Sequence, residues 1–260
     1  MLFEPGIEPE ADDFLLRPQP DPQGRLADGG PRYQETPPDP ALLAPGTLAE
    51  PFNTATATIF ILIVALWTIR LRGRYSRFLF LTAMLPILLA GGIGGTLYHA
   101  TRSHMAWFLL DVIPISLLGL AGAIYLTVRL GRGLGMLKVG LISLGVIAAY
   151  VAVNKFVFRT IVWSNPNVPV NLSYLSLAII VVVPIAATLW RTRFAHYGWV
   201  LAGLACFAHA WFFRLVDNTG LVTLEMGTHW LWHIYGAATT MFLFEYFYRV
   251  KRDEFKSDSI

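Results

Sequence analysis

The fold of this chain is decided by an apolar stretch between Ala106 and Val128, which reads AWFLLDVIPISLLGLAGAIYLTV. Asp111 is its one charged residue, and a helix of about 20 apolar residues is long enough to cross the hydrocarbon core of a bilayer. Comparable stretches recur along the chain, which predicts an all-α integral membrane bundle of seven transmembrane helices. The predicted spans are Thr54–Leu71, Phe78–Tyr98, Ala106–Val128, Met136–Phe158, Leu172–Trp190, Tyr197–Phe213 and Trp230–Tyr248.

The composition is that of a membrane protein. Of 260 residues, 55% are hydrophobic and only 14% are charged, and the mean hydropathy is +0.53. A soluble domain carries about 25% charged residues. This difference excludes a soluble enzyme, a disordered chain and a nucleic-acid-binding protein. The single cysteine, Cys206, lies in an apolar stretch, and we interpret it as a small core residue.

The N-terminal region has a different character. Residues 1–50 contain ten acidic and three basic residues together with the pair Pro37–Pro38. No continuous apolar region follows Met1, so we expect no cleavable signal peptide. We expect the stretch Leu42–Phe52 to pack onto the bundle. The predicted organisation is an acidic, proline-rich and largely extended tail (1–47), a seven-helix transmembrane domain (48–249) and a short cytosolic tail (250–260).

The basic residues predict the orientation of the bundle, because cytoplasmic loops of membrane proteins are enriched in lysine and arginine. Seven of the 20 basic residues fall on the side that includes the N-terminus. The others share the opposite side: Arg70, Arg72, Arg74, Arg77, Arg129, Arg132, Lys138, Arg191, Arg193, Arg249, Lys251, Arg252 and Lys256. We therefore predict an N-terminus outside or in a lumen and a C-terminus in the cytosol.

Polar residues inside predicted spans are candidates for function, since an ionised Asp at mid-helix costs about 2.5–3.5 kcal/mol on insertion scales. With the predicted orientation, His99 ends the second span, Asp111 starts the third, and His229 and His233 start the seventh. All four residues then lie in the outer part of the membrane. Side chains from three helices are therefore expected to meet in one layer.

The spacing of these residues favours a metal site. His229 and His233 are four residues apart, so their side chains share one helix face with Cβ atoms about 5–6 Å apart. A third imidazole from His99 would complete a three-histidine set with an open fourth position, the pattern of catalytic zinc. Asp111 is then either an acceptor that orients a histidine or the acceptor of a proton from a metal-bound water.

These elements resemble those of the alkaline ceramidases, which belong to a superfamily of seven-helix membrane hydrolases that includes the adiponectin-type receptors and Per1-like proteins. The resemblance is carried by an ordered series over about residues 48–240. Its elements are LAEPFNT (48–54), GGTLYHAT (94–101), WFLLD (107–111), WFFRLVDN (211–218) and HWLWH (229–233).

The resemblance implies zinc on His99, His229 and His233, the carboxylate of Asp111, and hydrolysis of the amide bond of ceramide. The family pattern places a serine four residues before the first histidine, where this chain has Gly95; Thr96, three residues before it, is the expected substitute in polarising the carbonyl. The family also has an acidic N-terminal calcium site, and Glu50 matches one of its positions.

The leading hypothesis is therefore a zinc-dependent intramembrane hydrolase that uses a metal-bound water to cleave a ceramide-like lipid. The alternative is a non-catalytic metal-containing lipid receptor or binding protein of the same fold, which the missing serine motivates. A haem protein is disfavoured because a pair of histidines on one helix cannot face each other across a porphyrin, and a transporter because no inverted repeat is evident. The expected location is the ER or Golgi of a eukaryote or the inner membrane of a bacterium.

Overall fold

The computed structural model describes residues 26–131, 133–157 and 167–257. Within these ranges the protein contains helices and no strand, so the predicted all-α class is confirmed. A short 3₁₀-helix, Pro40–Leu42, precedes the bundle, and a turn of π-helix, Val153–Val157, follows α5. The α-helices are α1 (Pro51–Ala57), α2 (Ile59–Leu71), α3 (Leu79–Thr101), α4 (Met105–Leu130), α5 (Met136–Ala152), α6 (Asn167–Arg191), α7 (Tyr197–Val216) and α8 (His229–Ser257).

Six segments of the described chain are long and apolar enough to cross a membrane, which supports a multi-pass membrane protein. Helices α1 and α2 together supply the first of these segments. Phe158, the predicted end of the fourth span, lies outside the described residues. The six segments are Pro51–Leu71, Leu79–Thr101, Met105–Leu130, Met136–Phe156, Asn171–Arg191 and Tyr197–Val216.

The seventh predicted span, Trp230–Tyr248, lies within α8, which is long enough but less apolar than the six. Two histidines and Glu245 lower its apolarity, and all three are buried against the protein. The carboxylate of Glu245 makes ion pairs of 2.6 Å with both Arg70 and Arg249. Because α8 packs along α7 and also contacts α1 and α2, its polar groups face protein rather than lipid.

Helices α3 and α4 pack with their backbones in close contact because α3 presents glycines to α4. A Cβ atom at Gly94 would lie 2.6 Å from the backbone carbonyl carbon of Leu110, and one at Gly91 would lie 3.0 Å from the side chain of Pro114. Small residues permit this approach between membrane helices. The close packing brings Asp111 on α4 beside the last turns of α3.

Residues 26–50, here called the N-terminal segment, lie across one end of the bundle. The backbone N–H groups of Ala49 and Glu50 donate to carbonyls at the end of α3, and the N–H of Gln34 donates to Asp217 beyond the end of α7. Asn218 also donates to the carbonyl of Arg32. Since the segment bonds to the ends of two helices, it covers the end of the bundle where the polar residues of α3 and α8 meet.

Candidate metal centre

His99, His229 and His233 meet at this covered end of the bundle, as the sequence predicts. One ring nitrogen of each lies within 4.8 Å of a ring nitrogen of the others, and the ring centroids are 4.8–5.3 Å apart. The three residues are 0%, 1% and 3% exposed. Among the histidine, cysteine and acidic side chains that the structure describes, these three histidines form the group that is close enough together to hold a metal ion.

Two nitrogen atoms of this group, Nε2 of His99 and Nδ1 of His229, are buried without a hydrogen-bond partner among the described residues. A buried polar atom that lacks a partner costs about 1–3 kcal/mol, and native proteins contain few of them. Their convergence from two helices is explained by a shared cation, since a metal ion accepts lone pairs that no nearby donor satisfies. The residues present therefore fit a metal ion.

Hydrogen bonds outside the centre fix the ring orientation of two histidines. Nδ1 of His99 donates to Oε2 of Glu50, and Nδ1 of His233 lies 3.0 Å from the hydroxyl oxygen of Thr56. That hydroxyl donates its own hydrogen to the carbonyl of Phe52, so it accepts from His233. With Nδ1 protonated in both rings, Nε2 carries the lone pair that a metal needs.

Glu50, which precedes α1, is fully buried and receives four donors. Oε1 accepts from Thr36 and Arg102, and Oε2 accepts from His99 and, at 3.2 Å, from Asn53. Burial opposes ionisation, but the hydrogen bond from His99, the charge of Arg102 and the hydrogen bond from Thr36 lower the pKa of Glu50 to about 2. Its roughly four lone-pair positions are thus occupied. We therefore do not propose a calcium ion at Glu50.

Arg102 links the N-terminal segment to the end of α3. Its side chain is fully buried and makes ion pairs of 2.7 Å with Asp28 and 2.6 Å with Glu50, and it donates to the carbonyl of Pro31 at 3.0 Å. Burial alone would lower the pKa of Arg102, but the nearby Tyr98, Asp28 and Glu50 raise it above its ordinary value. A guanidinium therefore neutralises the acidic groups beside the centre.

Asp217 anchors the start of α8. Its Oδ1 accepts from the backbone N–H groups of Thr228, at 2.8 Å, and His229, at 3.2 Å, and its Oδ2 accepts from Gln34 at 3.1 Å. Burial raises the pKa of this carboxyl, and the three backbone donors oppose that shift. Because these donors include the backbone of a histidine of the centre, Asp217 positions the first metal-facing turn of α8.

Tyr33 covers the centre from the N-terminal segment. Its ring stacks on the imidazole of His229 with a centroid separation of 3.7 Å and an interplanar angle of 18°. The residue is 7% exposed, and burial raises the pKa of its phenol above the ordinary value, so the hydroxyl stays neutral. The segment thereby shields one face of the histidine group from water.

Asp111 and His233 line a cavity between α3, α4, α6, α7 and α8. A Cβ atom at Gly95 would lie 2.6 Å from Oδ1 of Asp111, so the carboxylate occupies the space of the missing side chain. The hydroxyl of Thr96, the expected substitute for the family serine, donates to the carbonyl of Gly92 at 2.7 Å. A role for Thr96 in catalysis stays a prediction.

The cavity is mostly apolar and follows α8 from Trp232 to Phe247, about 22 Å at 1.5 Å per residue. A long apolar space with a carboxylate and an imidazole in its wall suits a molecule with hydrocarbon chains and one polar group.

The other histidines have separate roles. The side chain of His104 accepts from Ala106 at the start of α4, and His196 lies 2.6 Å from Asp253. His209 contacts the carbonyl of Ala205 on its own helix. None of the three belongs to the histidine group of the described residues.

Several residues around the centre gave no signal in the sequence. Tyr33, Thr56 and Arg102 lie outside the polar positions that hydropathy singles out, and their roles follow from contacts between distant segments. Asp217 was recognisable as a polar residue at the end of an apolar stretch, although its role at the start of α8 was not.

No family, no curated protein and no solved structure matches this chain. The resemblance to the alkaline ceramidases therefore rests on the five sequence elements alone, and what it implies about activity belongs to the proposal that follows.

Proposed function

We propose that this protein is a zinc-dependent hydrolase that cleaves the amide bond of a ceramide-like lipid within the membrane. One observation carries the proposal: three buried histidines from two helices converge, and two of their nitrogens have no partner among the described residues. Asp111 and His233 line one cavity, which joins the centre to a space suited to acyl chains.

The donor set favours zinc over a hard cation. Three imidazole nitrogens suit zinc, copper, iron or nickel, whereas calcium and magnesium prefer oxygen ligands. Three protein ligands leave one position of a tetrahedral zinc site open, as in catalytic zinc sites. The hydrogen bonds from His99 to Glu50 and from His233 to Thr56 are the outer contacts that orient zinc-binding histidines in proteins.

In the proposed reaction, zinc supplies a Lewis acid and lowers the pKa of a bound water to about 7. Asp111 accepts the proton of the attacking water at its carboxylate and delivers it to the amide nitrogen as the C–N bond breaks. One water is consumed, a new C–O bond forms, and the products are a fatty acid and an amine. Because Gly95 leaves room beside it, the Asp111 carboxylate faces the cavity without a covering side chain.

Other parts of the chain hold the substrate and exclude water. The apolar wall along α8 would bind hydrocarbon chains that arrive directly from the bilayer. The N-terminal segment covers one face of the centre through Tyr33, which stacks on His229. Exclusion of water strengthens the electrostatic interactions between Asp111, the ion and the reacting carbonyl.

We also propose the orientation that the basic loops indicate, with the metal centre near the outer or lumenal surface and α8 as the seventh span. His229 and His233 would then bind the metal, and Glu245 would pair with Arg70 and Arg249, so that none of the three faces lipid. The substrate would enter the cavity from the leaflet nearest the centre.

The test is metal analysis and fatty-acid release on the full chain purified in detergent. We expect one zinc per chain and release of fatty acid from ceramide, both lost in the variants His99→Ala and His233→Ala. His209→Ala is the matched control, because that histidine lies on a neighbouring helix outside the group. A His229→Ala/His233→Ala double variant that keeps stoichiometric zinc would contradict the proposal.

A second candidate function is a metal-containing lipid receptor without turnover. Gly95 favours it, since the side chain that the resembling family uses beside the metal is absent and the hydroxyl of Thr96 is bonded to its own helix. This function predicts bound zinc and bound lipid but no fatty acid released over a broad panel of lipids. Fatty-acid release by the unmodified chain separates the two, and its loss in Asp111→Asn would show that the release comes from this site.

A further inference from the structure

Arg214, in the last turn of α7, presents a guanidinium beside the metal centre. Its Cζ atom lies 5.0 Å from the ring centroid of Tyr174 and 5.2 Å from that of Trp232, and both rings line the cavity. Its Nε donates to Oδ1 of Asn171 at 3.1 Å. In the ranges that the structure describes, no carboxylate oxygen pairs with Arg214 within 4.0 Å, in contrast to Arg102 and its two carboxylates.

Two residues connect this guanidinium to the histidines. Trp232, which it covers, precedes His233, and both of these α8 residues line the cavity. Tyr33, which stacks on His229, also interacts with Arg214 through its side chain. The cation therefore stands at the same end of the cavity as the metal centre, on the side of α7.

A guanidinium offers five N–H donors in a planar fork that matches the two oxygens of a carboxylate or a phosphate. An amide oxygen and aromatic neighbours give it hydrogen bonds and cation–π contacts. The carboxylates of Asp111 and Asp217 interact with it electrostatically, but neither forms an ion pair with it within 4.0 Å. A guanidinium next to a cavity for apolar chains, with no direct ion pair to a described carboxylate, can bind a ligand that brings an anion to this end. Ceramide has a neutral head group and does not supply one.

We infer that Arg214 binds an anionic group of the lipid substrate, so that the preferred substrate is an N-acylated amphiphile with a carboxylate or phosphate on the amine side of its amide bond. This inference rests on the proposed hydrolase function and names its substrate class. The anion would lie on Arg214 above Trp232, while the acyl chain follows α8. Hydrolysis consumes one water and yields a fatty acid and the anionic amine.

The test compares three substrates on the zinc-loaded full chain: N-palmitoylglycine for the carboxylate, ceramide 1-phosphate for the phosphate and ceramide for the neutral head group. We expect kcat/KM for at least one anionic substrate to exceed that for ceramide by about 10- to 100-fold, the effect of one charge-assisted bidentate contact. Arg214→Gln should remove this preference, so that kcat/KM for the anionic substrate falls to about that for ceramide in the same variant. The two anionic arms identify which group the guanidinium recognises.

Controls separate recognition from folding. Arg214→Lys keeps the charge without the fork and should retain part of the preference, and zinc content and elution volume report the fold of each variant. Arg191→Gln is the matched control, because that arginine, at the end of α6, is exposed and donates to the carbonyl of Leu130 at the end of α4. It should leave every rate unchanged.

Equilibrium binding of N-palmitoylglycine and ceramide 1-phosphate to the Asp111→Asn protein decides the inference independently of turnover. Binding at least 10-fold tighter than to the Asp111→Asn/Arg214→Gln protein supports it, and equal binding overturns it. Preference for ceramide with no effect of Arg214→Gln also overturns it, while zinc-dependent hydrolysis survives. If zinc binds and no lipid is cleaved, the proposed hydrolase function fails, and the binding arm still decides whether Arg214 recognises anions.

Discussion

The imidazole of His99 donates its Nδ1 hydrogen to the carboxylate of Glu50, a residue 49 positions earlier in the chain. This contact ties the start of α1 to the end of α3 and leaves Nε2 of His99 without a partner among the described residues. Glu50 thus orients one histidine of the metal centre but is not one of the three proposed metal ligands. The same carboxylate pairs with Arg102, so the centre and the N-terminal segment share one network.

Glu50→Gln should weaken zinc binding by about 10- to 100-fold, the usual effect of removing an outer carboxylate from a ligating histidine. The amide keeps the size of the side chain but lacks the charge that stabilises the donor ring of His99. Competition with a chelator of known affinity measures the change. Glu225→Gln is the control, since Glu225 is exposed in the turn before α8. Equal affinity in both variants would show that Glu50 does not support the centre.

Gly95→Ser restores the residue of the resembling family, and we expect it to lower activity by about 10-fold or more while zinc stays bound. The new Cβ atom would lie 2.6 Å from Oδ1 of Asp111, closer than real Cβ contacts, so the carboxylate must move from its position. A misplacement of about 1 Å at a reacting group can cost 10²-fold in rate. Fatty-acid release at saturating substrate measures the loss. Gly145→Ser, where nothing lies within 4 Å, should be silent. Higher activity in Gly95→Ser would contradict this interpretation.

Arg102→Ala should lower the free energy of unfolding by about 3–5 kcal/mol, because it leaves the buried carboxylates of Asp28 and Glu50 without their cation. Denaturation of the detergent-purified protein, followed by near-UV circular dichroism, measures the change. Arg72→Ala removes an exposed arginine and should change stability by less than about 0.5 kcal/mol. A loss of the same small size in Arg102→Ala would show that the N-terminal segment does not depend on this pair.

The proposed orientation can be tested by cysteine labelling. In a Cys206→Ser background, Glu225→Cys places a thiol on the side of the metal centre, and Arg72→Cys places one on the side of the basic loops. In sealed right-side-out vesicles, an impermeant maleimide should label position 225 directly and position 72 only after permeabilisation. The reverse pattern would place the centre in the cytosolic half and invalidate the charge-based orientation.

The helices and the histidine group could be predicted because each depends on local features. Apolar stretches of membrane-spanning length fix where helices form, and the interval of four residues places His229 and His233 on one face. The helix predicted at Trp230–Tyr248 lies within α8, but the histidines and Glu245 make it less apolar than the six other segments, and their partners lie within the protein. The calcium site suggested at Glu50 stays a prediction, and the sequence did not indicate that Arg102, 52 positions away, pairs with this carboxylate.

The sequence by itself determined a helical membrane protein with three histidines at similar depth, since these follow from hydropathy and residue spacing along single helices. Only the tertiary structure decided that Tyr33 stacks on His229 and that Glu50 and Thr56 orient His99 and His233. It also decided that Arg214 stands beside the centre with no direct ion pair to a described carboxylate. The physical reason is that such contacts join residues far apart in the chain. Their partners are set by how helices pack, and the spacing of residues within one helix does not specify which side chain of another segment they meet.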